Sequence, residues 1–260
     1  MSRIEDIGFK VGTYLKDIPF ENYSYVYDDH EIKNDNIKIT NRLGSGCFST
    51  AYSCIDIKTG IEYAFKVTCL RDLDDTIVRW GESIHLAINN PDICSWIHKA
   101  WIAEFDHGGG QIRFSFLISK LYTDTVPNGM GSGYISDSDK DTLIIEVIKK
   151  MILLWKRNIN GDYHFGNWMY SRTCPSKLQV RLVDIDMLAP FGKENSSCHD
   201  YIDPTIGLEV FVFRQIYDLG EGMFEDMERY ITFAKYKARA LEDPKLISCL
   251  EYLEDKISSS

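Results

Sequence analysis

Residues 43–52 read Leu43-Gly44-Ser45-Gly46-Cys47-Phe48-Ser49-Thr50-Ala51-Tyr52. Before them, Ile37-Lys38-Ile39-Thr40 alternates apolar and polar residues, as a half-buried strand does. After them, Ala51 to Ile57 reads as a second strand, Lys58-Thr59-Gly60 as a turn, and Glu62 to Val67 as a third strand. The result is an antiparallel meander with a glycine-containing turn between its first two strands. Glycines at 44 and 46 let backbone N–H groups approach a phosphate with no Cβ in the way. Taken alone, such a stretch is more often an ordinary hairpin turn.

Outward from this meander the pattern changes twice. Residues 72–90 suit a helix with Ile77, Trp80, Ile84 and Leu86 on its apolar side. Strands follow at 100–104 and 112–121, separated by a turn at His107-Gly108-Gly109-Gly110. The expected first half is therefore a five-stranded sheet with one helix inserted after the third strand. Residues 1–36 are polar and rich in Asp, Asn and Tyr, and read as an extension with one or two short elements. In the second half, Asp139 to Lys156 is an amphipathic helix. Residues 158–170 form a loop ending in a short strand, and 180–183 form a strand. Residues 205–257 read as helices, most clearly over 224–240 and 246–257. The expectation is an α+β protein of two lobes, a β-rich one over 37–122 and an α-helical one over 123–260, with 1–36 as the extension.

The formal net charge of -10 gives little attraction for a phosphate backbone, and no Lys/Arg block overrides it, so nucleic acid is not an expected partner. The seven cysteines include no C-x-x-C pair, which argues against a zinc site and for free thiols in a reducing cytoplasm. No apolar run approaches the length of a membrane span, and the first residues lack the apolar core of a signal peptide. A cytoplasmic protein without membrane partners is expected.

Three further features carry chemistry. Lys66 lies in the apolar strand Tyr63-Ala64-Phe65-Lys66. An ammonium there needs compensation, and a phosphate with a carboxylate would supply it; a lysine on the open face of the sheet is the plainer alternative. Residues 161–167 read Gly161-Asp162-Tyr163-His164-Phe165-Gly166-Asn167. Phosphoryl transfer to a hydroxyl needs a carboxylate for the proton and an oxygen ligand for a metal, and a D-x-x-x-x-N spacing offers both. Asx-turn chemistry in a surface loop is the alternative. Finally, Leu182-Val183-Asp184 is an apolar strand ending in an acid, which can ligate magnesium or simply end a strand.

In this order, these features resemble the protein-kinase-like superfamily, over about residues 37–235. The segments LGSGCFSTAY and GDYHFGN also resemble the compact serine/threonine kinases of short-tailed bacteriophages. The resemblance implies a two-lobed protein-kinase-like fold, ATP with Mg2+ or Mn2+, and protein substrates, host proteins among them. By position, Gly44, Ser45, Gly46, Cys47, Phe48 and Ser49 would cover the ATP phosphates, and Leu43 would belong to the nucleotide-binding set. Lys66 would hold the α- and β-phosphates and pair with Glu82. Residues 117–121 would form the hinge against adenine, with Ala64, Ser119, Leu121 and His164 completing the nucleotide set. Asp162 would be the catalytic base, with Asn167 and Asp184 the metal ligands.

The sequence also departs from the family pattern. The third glycine of the loop is Ser49, and Asn160-Gly161 stands where His-Arg usually precedes the base, so no dependence on activation-loop phosphorylation is expected. His164 replaces the usual lysine and is similar to small-molecule kinases. Asp186 replaces the D-F-G glycine and offers a second acid. A small-molecule phosphotransferase of the aminoglycoside or choline kinase type, and a nucleotide-binding pseudokinase, are the alternative readings. The Gly108–Gly110 run has no partner G-x-S-x-G and reads as a turn. His30, His85, His98 and His199 show no metal spacing and read as surface or core fillers. Cys47 is either a small inert residue or a thiol sensitised by loop N–H groups.

Overall fold

Alternation along each strand decides which side chains meet in the first half of the chain. On β4 (Glu62–Leu70), Tyr63, Phe65 and Val67 are buried while the residues between them are half-buried. The computed structural model describes residues 9–46, 49–70, 74–107, 110–131, 135–162, 165–174, 177–190 and 251. The chain divides into two units, Met1–Pro91 with Ser95–Tyr122, and Asp92–Cys94 with Thr123–Ser260.

In the first unit, β4 is one of six strands. The others are β1 (Glu21–Asp28), β2 (Ile37–Ser45), β3 (Ser49–Asp56), β5 (Ile97–His107) and β6 (Gly110–Lys120). Their order is β1-β5-β6-β4-β3-β2, every neighbouring pair antiparallel. One face of the sheet carries an aromatic core. Trp101 and Phe116 stack at 5.1 Å and 18°, and Phe65 lies nearly parallel to Phe116 at 6.2 Å and 10°. The helix α1 (Asp74–Ile88) packs against β1 and β5, burying Trp80, Ile84 and Ala87. The tight β3–β4 turn needs a glycine, since Gly60 sits at φ 73°, where L side chains are strained.

The segment before Ile37 does more than extend the chain. It supplies β1, a sixth strand at the sheet edge, and Phe9, Leu15, Ile18 and Ile32, which join the aromatic core. These apolar residues are too widely spaced among polar ones to show any period. Burying a side chain such as Phe9 contributes about 2–3 kcal/mol.

The second unit begins with β7 (Asp124–Thr125) and α2 (Val126–Gly131). It continues through α3 (Asp137–Lys156), β8 (Ile159–Asn160), β9 (Trp168–Cys174), β10 (Lys177–Leu182) and β11 (Ala189–Pro190). Ser136 starts α3: its hydroxyl accepts the Asp139 N–H at 3.2 Å and donates to the Asp139 carboxylate at 2.9 Å. Leu143, Val147 and Met151, four apart, are fully buried along one side of the helix. β10, β9 and β7 form one small sheet, β11 and β8 another. Gly129 lets α2 lie close to β9, since a Cβ there would stand 2.6 Å from the Tyr170 ring.

The expected two-lobed kinase-like α+β fold with an α-helical second half is corrected by this architecture. Among the described residues strand outweighs helix. Residues 123–190 contribute five strands, β7 to β11, besides α2 and α3. The helical periodicity expected over 205–257 lies outside the described residues except at residue 251, whereas Trp168-Met169-Tyr170-Ser171-Arg172 alternates as a strand does. There Trp168 and Tyr170 are buried and Arg172 is exposed, a half-buried hairpin strand.

Candidate functional site

The glycine turn and the strand lysine lie in the first unit. Gly44 pairs with Ala51, Ala51 with Lys66, and Lys66 with Leu117, so one rung runs across β2, β3, β4 and β6. Paired residues of antiparallel strands point to the same face. That face is the one opposite Phe65 and Phe116. Two residues along β4, Ala64 pairs with Ser119 on the same face. Four of the expected nucleotide residues, Gly44, Ala64, Lys66 and Ser119, thus share one side of one sheet.

At the end of this rung the chain turns. The Gly46 N–H donates to the Ser49 carbonyl at 2.9 Å, and the Arg42 guanidinium donates to the Ser45 hydroxyl at 2.9 Å. Leu43, Gly44, Ser45 and Gly46 are exposed, and Ser49 is half-buried. Cys47 and Phe48 lie outside the described residues. Neither Gly44 nor Gly46 has a left-handed φ. A Cβ on Gly44 would meet nothing within 4 Å, and one on Gly46 only the Ser49 hydroxyl at 3.9 Å. Chain geometry alone therefore does not require glycine at either position.

Lys66 is half-buried in β4. Glu82 lies on an exposed part of α1, the helix whose buried residues serve β1 and β5. Leu121, just beyond β6, is half-buried.

The second unit holds the acidic residues. β8 brings the chain to Asp162, and the paired strand β11 runs beside it, with Ala189 opposite Asn160. Asn160 closes the bend by accepting the Gly161 N–H on its side-chain oxygen at 2.8 Å. A 3₁₀ turn over Phe165–Asn167 then leads into β9. Asn167, only 7% exposed, donates from Nδ2 to the Asp162 carbonyl at 3.0 Å. Its backbone carbonyl accepts the Val183 N–H at 2.9 Å. The next pair on the hairpin is Trp168 with Leu182. Asn167 therefore ties the Asp162 loop to the end of β10, one residue before Asp184. Asp162, Asp184 and Asp186 are all half-buried. His164 lies outside the described residues.

No protein-family model matches this sequence, and no curated protein matches it.

Among the described residues, His, Cys, Asp and Glu side chains converge in a group of three at Asp29, Glu31 and His98. Sequence reasoning treated His98 as a filler. Asp29 and His98 stand 69 positions apart, and only the β1–β5 pairing joins them, so no spacing motif reveals the group. The Asn167 link to Val183 is equally invisible in sequence, because it depends on the β9–β10 register.

Proposed function

We propose that this chain is an ATP- and divalent-metal-dependent phosphotransferase whose acceptor is a serine or threonine hydroxyl of a protein. The observation that carries the reading is the Asn167 tie. Two hydrogen bonds fix the acid loop and the approach to Asp184 against one another within the second unit. A catalytic carboxylate and a metal ligand need such fixed relative placement, because small misplacements are costly in rate. An Asx turn needs no bond to a neighbouring strand.

In this reading Asp162 orients the acceptor hydroxyl and takes its proton. Asn167 has its Nδ2 directed to Asp162, so its Oδ1 is the side chain's acceptor atom. That oxygen and the Asp184 carboxylate are hard donors that suit Mg2+ or Mn2+, which takes few protein ligands and fills the rest with phosphate and water. A bound divalent ion neutralises charge on the transferred phosphoryl group. In the first unit, Lys66 balances phosphate charge. Gly44, where a Cβ would meet nothing within 4 Å, leaves room for phosphate oxygens, and Gly46 has only the Ser49 hydroxyl nearby, at 3.9 Å.

The acceptor class follows from the short stretch between Thr123 and Asp139, which is occupied by β7, α2 and the start of α3. It leaves few residues to wall a pocket for a small alcohol or amine. The test is transfer of γ-labelled phosphate from ATP, with magnesium, in two reactions. One contains a cell lysate and the other a panel of small alcohols and aminoglycosides. Label on protein bands supports the proposal. Label only on small acceptors moves the chain to the small-molecule class, and nucleotide binding without turnover in either makes it a pseudokinase.

A further inference from the structure

We propose that Asp29, Glu31 and His98 form a site for a divalent transition-metal ion of the zinc class, which clips the turn after β1 onto β5. None of the three belongs to the phosphotransfer residues.

The site is built by the strand ladder. Asp28, the last residue of β1, pairs with Lys99, and the Asp29 N–H then donates to the His98 carbonyl at 3.0 Å. The chain turns through His30, whose φ of 63° is uncommon for a residue with a side chain. Glu31 follows, and its N–H donates to one oxygen of Asp29, Oδ1, at 3.0 Å. That bond directs the other oxygen, Oδ2, to His98 Nδ1 at 2.8 Å. Glu31 Oε2 lies 3.6 Å from the same nitrogen, and the three donor atoms all lie within 4.8 Å of one another. Zinc holds nitrogen and oxygen at about 2.0–2.2 Å, so tetrahedral ligands stand roughly 3.3–3.6 Å apart. Small side-chain rotations bring the present spacings to that value.

The chemistry selects the ion. Two carboxylates and one imidazole balance a divalent charge. An imidazole nitrogen favours zinc and its neighbours over magnesium or calcium, which prefer oxygen alone. The Glu31 N–H bond orients Asp29 as outer-sphere partners orient metal ligands. The His98 ring is held edge-on to Tyr63 at 5.0 Å, and its side chain is 13% exposed. Glu31, at 69%, leaves the ion a way in and a position for water. Closing this corner fastens the end of β1, and with it the segment that covers the aromatic core.

The test uses the full chain stripped with chelator, then titrated with zinc chloride under calorimetry. One zinc per chain and a raised melting temperature are expected. Glu31→Gln, at an exposed position that leaves the fold intact, should weaken binding by roughly tenfold or more, as should His98→Ala. Cobalt substituted for zinc should show no thiolate charge-transfer band. Absence of zinc binding at micromolar concentration overturns the proposal. So does binding indifferent to Glu31→Gln, or a thiolate band that moves the metal to cysteines.

Discussion

Asn167 donates its side-chain N–H to the backbone carbonyl of Asp162 at 3.0 Å. The same residue accepts the Val183 N–H on its backbone carbonyl, so one buried residue, through its side chain on one side and its backbone on the other, links the loop that carries Asp162 to the residue before Asp184. Replacing Asn167 by Asp keeps an oxygen ligand and removes the donor. Replacing it by Ala removes both. Either variant leaves the Asp162 carbonyl without this donor, a loss of about 1–3 kcal/mol readable by denaturant unfolding. If Asn167 also ligates metal, Asn167→Ala should lose more transfer activity than Asn167→Asp. Equal loss in the two would make its role structural only.

Substitution of Gly44 tests the proposed nucleotide binding separately from folding. A Cβ at this position meets no protein atom within 4 Å and φ imposes no strain, so Gly44→Ala should shift stability by no more than about 0.5 kcal/mol. If the turn holds phosphate as proposed, ATP affinity should nevertheless fall, because the added methyl group would take up the phosphate's space. Titration of both proteins with a fluorescent ATP analogue checks this. Unchanged affinity would remove the phosphate role of the turn.

Lys99 is 4% exposed and makes several polar contacts at once. Its ammonium lies 3.2 Å from the Asp28 carboxylate, the Ile32 carbonyl and the Asn34 side-chain oxygen, and 5.0 Å from the centre of the Tyr25 ring. Removing one partner of a buried ion pair costs about 3–5 kcal/mol. Lys99→Met should therefore destabilise the protein by that order, measured by urea unfolding. A loss under about 1 kcal/mol would show the pair to be energetically neutral.

The Arg157 guanidinium grips Asp92 with two hydrogen bonds of 2.9 and 2.8 Å and holds its carboxyl below the usual range. A depressed folded-state pKa stabilises above the unfolded value, and that contribution is lost as pH falls through the folded one. Melting temperatures of the parent and Asp92→Asn should thus differ at pH 7 and converge in acid, below about pH 4. A gap that persists at low pH would mean that packing, not charge, explains the substitution.

Burial raises the thiols of Cys54 and Cys94 to about 12 each. At pH 8 both stay protonated and enclosed, so neither should react with iodoacetamide in the native protein. Cys69 is only half-buried and should be alkylated ahead of them. Peptide mapping after a timed exposure decides the order.

The sheet of the first unit was legible wherever strands alternate. Expected strands at 37–40, 51–57, 62–67, 100–104 and 112–121 all fall within β2 to β6, apart from single residues at Ile57 and Leu121. The turn at Gly60 was plain from its glycine. β1 was missed although Tyr23, Tyr25 and Tyr27 recur at every second position, because no residue of the strand is fully buried and it is held in place by pairing with β5 at the sheet edge. The second half was misjudged because local periodicity cannot show that 168–182 closes into a hairpin. At the site, Asp162 and Asn167 could be singled out by spacing. Their tie to Val183, and the meeting of Asp29 with His98, arise from strand register, which residue types alone do not specify.

Phosphoryl transfer by Asp162→Asn, beside the parent protein, addresses the proposed activity most directly. With γ-labelled ATP, magnesium and a protein acceptor, the parent should transfer label. The variant should still bind ATP while its rate falls on the order of 10²–10⁴-fold. A variant that labels the acceptor as fast as the parent would contradict the account.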